Sequence, residues 1–167
     1  ATSVEKTRKQ LYEDFQKFTT DMVTGEFINE THNYTSIDDI IKDLKIASGE
    51  KREKILFDLN MIEQDVELFI MEEENKKRFA EALAGYFYDE NGKAYPNAIN
   101  LLANHRISHY VYDKILPCLA DKDISTRSAA VFGVEIRGRT EAVESLISML
   151  LDKNENWTVR EKIPDAL

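Results

Sequence analysis

The stretch Ile115-Leu116-Pro117-Cys118-Leu119-Ala120-Asp121-Lys122-Asp123-Ile124-Ser125-Thr126-Arg127, continued by Ser128-Ala129-Ala130-Val131-Phe132-Gly133, decides the fold. It reads as one helix, a tight polar turn and a second helix. A comparable string returns as Leu146-Ile147-Ser148-Met149-Leu150-Leu151-Asp152-Lys153, followed by Trp157-Thr158-Val159-Arg160. Asp121 thus recurs as Asp152 and Arg127 as Arg160, a period of about 31 to 33 residues with two helices per unit. Units of this kind cannot bury their apolar faces alone and have to stack, so the repeat predicts an all-α solenoid of stacked antiparallel helix pairs.

Composition agrees with helices. The chain has 167 residues, 43% of them hydrophobic, but only six Gly and three Pro, too few for the many tight turns of a sandwich or barrel. Its length predicts one domain over residues 1–167. The single cysteine, Cys118, stands beside Leu116 and Leu119 on an apolar face and reads as a core thiol in a reducing compartment. No charged-then-apolar leader and no apolar run of about 20 residues is visible, which predicts a cytoplasmic protein. The net charge of −9 repels phosphate backbones and anionic lipid, so neither nucleic acid nor membrane is expected as a partner, and a basic protein is.

Upstream of the repeat the helical pattern is less regular. Thr2-Ser3-Val4-Glu5 has capping-box spacing ahead of a stripe made by Leu11, Phe15, Phe18 and Met22, and residues 24–35 lapse into a loop. Thr35 or Ser36 restarts a helix with Asp38 and Asp39 in its first turn and Ile37, Ile40, Ile41 and Leu44 as its apolar face. Ser48-Gly49 ends it, and Ile55, Leu56, Leu59 and Ile62 mark the next helix, so residues 36–64 are expected to form a helical hairpin. Phe79, Ala82, Leu83, Tyr86 and Phe87 make a further stripe, closed by the turn signal Asn91-Gly92. Pro96 opens a helix bearing Ala98, Ile99, Leu101 and Leu102, and Pro117 is expected to kink the helix that Val111, Ile115, Leu116 and Leu119 define.

The spacing Leu116-Pro117-x-Leu119-x-Asp121-x-Asp123-x-x-x-Arg127-x-x-Ala130 resembles a HEAT repeat, with the proline of its first helix, the aspartate of its turn and the arginine opening its second helix. Glu141 to Leu146 with Val159, Arg160 and Leu167 resembles a further unit, although Ile163-Pro164 replaces the usual small alanines. The resemblance covers residues 111–167. It implies that Asp121 or Asp123 caps the second helix and that the repeat arginines bridge to the aspartate of the neighbouring unit.

Six carboxylates, Glu63, Asp65, Glu67, Glu72, Glu73 and Glu74, fall between Asn60 and Asn75 with no Lys or Arg among them. Glu72, Glu73 and Glu74, with Tyr88, Asp89 and Glu90, are the expected contact residues for a basic partner, because charge steers encounter and aromatics anchor interfaces. An acidic HEAT-like chain of this size resembles an immunity protein that masks a nuclease toxin. The other readings are a scaffold fragment of a longer HEAT-repeat protein, a HEAT-like DNA glycosylase, for which the charge has the wrong sign, and a relative of the bilin lyases, for which no bilin pocket is marked.

No catalytic, cofactor-binding or metal-binding residue is assigned. GxSxG, P-loop and GxGxxG patterns are absent, and so is a zinc-protease HExxH. His105, His109 and Asp113 recur at four-residue spacing, which would place them on one helix face, but they are expected to be structural. Adding zinc or a chelator should therefore leave the melting temperature unchanged, whereas a metal held only by the folded chain would raise it by mass action.

Overall fold

In the computed structural model, which describes residues 34–135 and 140–167, the helix expected near Thr35 begins at Ser36. Ser36 Oγ accepts from the Asp39 amide at 3.3 Å, while Asp39 Oδ2 accepts from the Thr35 amide and hydroxyl at 3.0 and 2.7 Å. Two donors at the helix start are thus satisfied reciprocally. Helix α1, Ile37–Ile46, buries Ile37, Ile40 and Leu44, with Ile41 half-buried. The expected capping box at Thr2, the stripe from Leu11 to Met22 and the loop up to residue 33 lie outside the described residues. By contact the chain divides after Tyr34, and Thr35–Leu167 is one compact unit.

Gly49, at φ 54°, turns the chain into α2, Gly49–Met61, which buries Ile55, Leu56 and Leu59. Arg52 of α2 is itself buried. Its Nε donates to the Leu44 carbonyl at 3.0 Å and its guanidinium lies 4.6 Å from the Tyr86 ring centroid, so it closes the open end of α1 and packs as a flat cation. The expected hairpin of α1 with α2 is held at this point, while the main helix contact of α1 is with α4, Glu73–Ala84. Between them lies α3, Glu63–Phe69, whose inner residue is Val66.

Phe79, Ala80 and Leu83 of α4 face the core, and the chain then makes a short hairpin closed by the Tyr88–Ala94 bridge. Pro96 stands in the first turn of α5, Pro96–Asn104, as expected, and Ala98, Ile99, Leu101 and Leu102 are all buried. What reads as a single helix from Val111 to Leu119 is segmented: a 3-10 turn at Ser108–Tyr110, one α turn at Tyr112–Ile115 (α6), and a 3-10 stretch at Leu116–Ala120. The change at Leu116 is the kink expected from Pro117, which lacks the N–H that an α-helix would use. Cys118 is buried there as a free thiol.

Asp123 then caps α7, Ile124–Glu135, its Oδ2 accepting from the Thr126 amide and hydroxyl, both at 2.8 Å. A Cβ at Gly133 would come within 3.2 Å of Ile99 and 3.3 Å of Ile115, so glycine is what lets α7 lie this close to α5 and α6. Helix α8, Thr140–Leu151, is followed by α9, Trp157–Arg160, capped by Asn156, and α10, Ile163–Ala166. The last helix of the second repeat is thus two separate turns, because Pro164 has no N–H to give the Arg160 carbonyl.

Among the described residues the regular elements are all helices, apart from the isolated Tyr88–Ala94 bridge. The main contacts are α5 with α7 and with α2 and α4, α7 with Leu116–Ala120 and with α9 and α10, and α1 with α4. None of the helices described is long and apolar enough to cross a membrane.

The repeat arginines differ. Arg127 Nε and Nη2 donate to the two oxygens of Glu155 at 2.8 and 2.6 Å, and Nη1 donates to the Asp121 and Lys122 carbonyls at 2.8 and 3.1 Å. Arg127 thus reaches the turn that follows α8, but its acceptor is Glu155 and not the expected Asp152, whose Oδ1 instead accepts from the Asn154 amide. Arg160 makes no side-chain hydrogen bond among the described residues. Arg127→Ala should cost about 3 kcal/mol in a denaturant melt because it strands a nearly buried carboxylate, while Arg160→Ala should cost under about 1 kcal/mol. The Arg127 hydrogen bonds hold the Glu155 carboxyl below its ordinary value of 4.5. Its contribution is complete above that value and is lost as pH falls through the lower folded value, so Glu155→Gln should flatten the acid limb of a stability-versus-pH curve.

Candidate functional site

The six carboxylates of residues 63–74 occupy α3 and the start of α4, and all are exposed. Acidic residues suit both places, since the first turn of a helix presents unsatisfied amides. Two of the six are engaged by the fold. Glu67 Oε1 lies 2.9 Å from Nδ1 of His105, and Glu73 accepts from the Tyr110 hydroxyl and, at 3.5 Å, from Lys76. The Tyr110 hydrogen bond holds the Glu73 carboxyl below the usual carboxylate range. Among the described residues, no cation pairs with Glu63, Asp65, Glu72 or Glu74.

His105 is the residue on which α5 ends. Its side chain is fully buried, edge-on to Phe79 with the ring centroids 6.3 Å apart. The next residue, Arg106, sits at φ 55°, and the Ile107 amide reaches back to the Leu102 carbonyl at 2.9 Å while the Arg106 amide bonds Ala103. This is a Schellman ending with arginine at the position that favours glycine. The reversal ends the helix at His105, ahead of His109 and Asp113, so the single helix face that their spacing suggests does not form. Among the described residues no group of three His, Cys, Asp or Glu side chains is placed to hold a metal.

Glu67, Glu73, Lys76, His105, Arg106 and His109 line a cleft of about 510 Å³. His105 Nε2 and Ser108 Oγ are both buried without a hydrogen-bond partner among the described residues, so Glu67, His105 and Ser108 do not form a proton relay. The pair is a structural tether of α3 to the end of α5.

The second half of the expected contact set has a different job. Tyr88 donates its hydroxyl to Asp121 Oδ2 at 2.6 Å and approaches Cys118 Sγ at 3.5 Å, pinning the hairpin to the repeat turn. Burial, with the Asp121 hydrogen bond, pushes the Tyr88 hydroxyl well above its ordinary value, and burial also raises the Cys118 thiol. Asp89 Oδ1 accepts from the Asn91 and Lys93 amides, each at 2.8 Å, and so builds the turn. Glu90 is exposed. Glu72–Glu74 open α4 and Tyr88–Glu90 follow its C-terminal end in the hairpin, so the six expected residues fall into two groups in the chain, one at the start of α4 and one after it.

Sequence periodicity missed the exposed apolar side chains around the acidic run: Phe57, Met61, Leu68 and Met71. Their signal was present as a 4-7-3 spacing outside the core pattern of α2 and α3. Compared with protein-family models, curated proteins and solved structures, the chain finds no match.

Arg106→Gly removes the left-handed penalty and should stabilise the fold by about 1 kcal/mol in denaturant melts. A loss of stability would mean that the Arg106 side chain holds the cleft together.

Proposed function

We propose that the chain is an acidic, HEAT-like binding protein of a reducing, cytoplasmic compartment that captures and masks a basic protein, in the manner of an immunity protein against a nuclease toxin. The solenoid part of this reading is supported by the pairing of helices that are not neighbours in sequence, α2 with α5 and α5 with α7, and by the Arg127–Glu155 bridge between two polar turns. The functional part is carried by one observation: four exposed carboxylates, Glu63, Asp65, Glu72 and Glu74, that no described cation neutralises. Like charges gathered without partners oppose folding, and they raise the encounter rate with a cation of the opposite field. Glu67 and Glu73 belong to the tethers and are poor probes of binding.

The test takes the basic protein that pull-down with this chain recovers from its native cell and mixes it with the purified chain in stopped flow. Replacing Glu63, Glu72 and Glu74 by lysine should slow association about tenfold or more at low salt and flatten its salt dependence, with helical content retained. An unchanged rate and salt slope would remove the acidic surface from the interface.

A further inference from the structure

The outward face of α2 and α3 is apolar where a solvated helix would be polar. Phe57 and Met61 are each 53% exposed, Leu68 is 65% exposed and Met71 is 73% exposed. Between the two helices Ile62, at φ −107° and ψ 40°, interrupts the ladder: its amide bonds the Asp58 carbonyl at 3.2 Å, and its carbonyl accepts from the Asp65 and Val66 amides at 3.0 and 3.1 Å. Phe57 and Met61 on α2, and Gln64 and Leu68 on α3, are each four residues apart and exposed, so each helix turns one such pair to solvent; Met71 follows just beyond α3, and Gln64 is the one polar member. By the same periodicity Ile55, Leu59, Val66 and Ile70, all buried, lie on the opposite side. The α2–α3 segment thus carries two apolar faces, and the fold uses one.

Charge identifies what would cover the other. Asp65 on α3 and Glu72 beside Met71 border these side chains and pair with no described cation, whereas Asp58 is bonded to Lys54 at 2.7 Å and Glu67 lies 2.9 Å from His105. Two copies of this face would bring like charges together across the seam, and an anionic bilayer would be repelled. A helix with its own apolar seam and Lys or Arg on both flanks satisfies the stripe and its acidic borders together.

Resting on the acidic-surface reading above, we propose that the stripe Phe57, Met61, Leu68 and Met71 is the docking seam for a cationic amphipathic helix of the partner, with Asp65 and Glu72 setting its orientation. The apolar side chains supply affinity at the centre, and the carboxylates act at the rim.

The experiment titrates the full chain with a synthetic helical peptide carrying Leu along its seam and Lys on its flanks, and with a version carrying Glu on the flanks. Two variants at exposed positions are compared with the parent, Met61→Ser with Leu68→Ser, and Asp65→Lys with Glu72→Lys, each checked for unchanged helical content by circular dichroism. The proposal expects the parent to bind the Lys peptide and not the Glu peptide. It expects the serine pair to weaken binding at least about tenfold with the salt slope kept, and the lysine pair to weaken binding with the slope reduced. If the serine pair binds like the parent while the lysine pair does not, the seam is wrong and the acidic surface stands. If the Lys peptide fails to bind, or neither variant changes its binding, both readings fail. Sedimentation of the parent as a dimer that the serine pair dissociates would assign the stripe to a second copy. Vesicle binding lost in the serine pair would assign it to a membrane. Either result overturns the proposal.

Discussion

The bidentate bridge from Arg127 to Glu155 is the constraint on which the C-terminal half depends. Helix pairs with apolar faces can slide on one another at little cost, because burial is non-directional. A planar guanidinium that meets two carboxylate oxygens and two turn carbonyls fixes direction as well as distance. The same turn is gripped from the other side by Tyr88, through Asp121, so the hairpin after α4 is located by the repeat turn too. Lys162 adds a link from the last helices to Ser128 of α7 at 2.7 Å. One polar turn thus locates elements drawn from three parts of the sequence.

Legibility followed the range of the interaction. The start of α1 at Ser36, the first-turn place of Pro96 and the Asp123 cap are local, and each could be read from a few neighbouring residues. The break at Leu116 was legible from Pro117 as a kink, although not as a change to 3-10 geometry. The Glu155 partner of Arg127 was hidden. Asp152 had the matching repeat position, but its carboxylate is taken by the Asn154 amide in its own turn. His105, His109 and Asp113 kept helical spacing in the sequence while the backbone reversed at Arg106, an arginine at a position where glycine would have announced the turn. Of the expected contact residues, Glu72, Glu74 and Glu90 are outward-facing, whereas Glu73, Tyr88 and Asp89 are occupied by hydrogen bonds that no one-dimensional pattern displays. The stripe from Phe57 to Met71 was overlooked because apolar periodicity was read as core wherever it occurred.

Two groups of polar side chains stand out. Arg52, Arg127, Glu155 and His105 are buried or nearly so, and each has a bonded partner that places one element on another. Glu63, Asp65, Glu72 and Glu74 are exposed, concentrated on α3 and the start of α4, and unmatched among the described residues. Helix-start electrostatics accounts for some acidity at these positions, since exposed amides favour it. It does not account for the apolar side chains that share the surface, which a purely solvated face would lack. The proposed capture of a cationic helix would call for both, the carboxylates to steer encounter and the apolar side chains to hold the complex.

The stacking account is tested most directly by a double-mutant cycle on Arg127→Ala and Glu155→Gln, with free energies from urea melts of the parent, both single variants and the double variant. A coupling energy of at least about 1 kcal/mol is predicted, with the double variant more stable than the sum of the two single losses implies. Losses that simply add would contradict it, because the two side chains would then contribute independently and the bridge would not be what sets one repeat turn on the next.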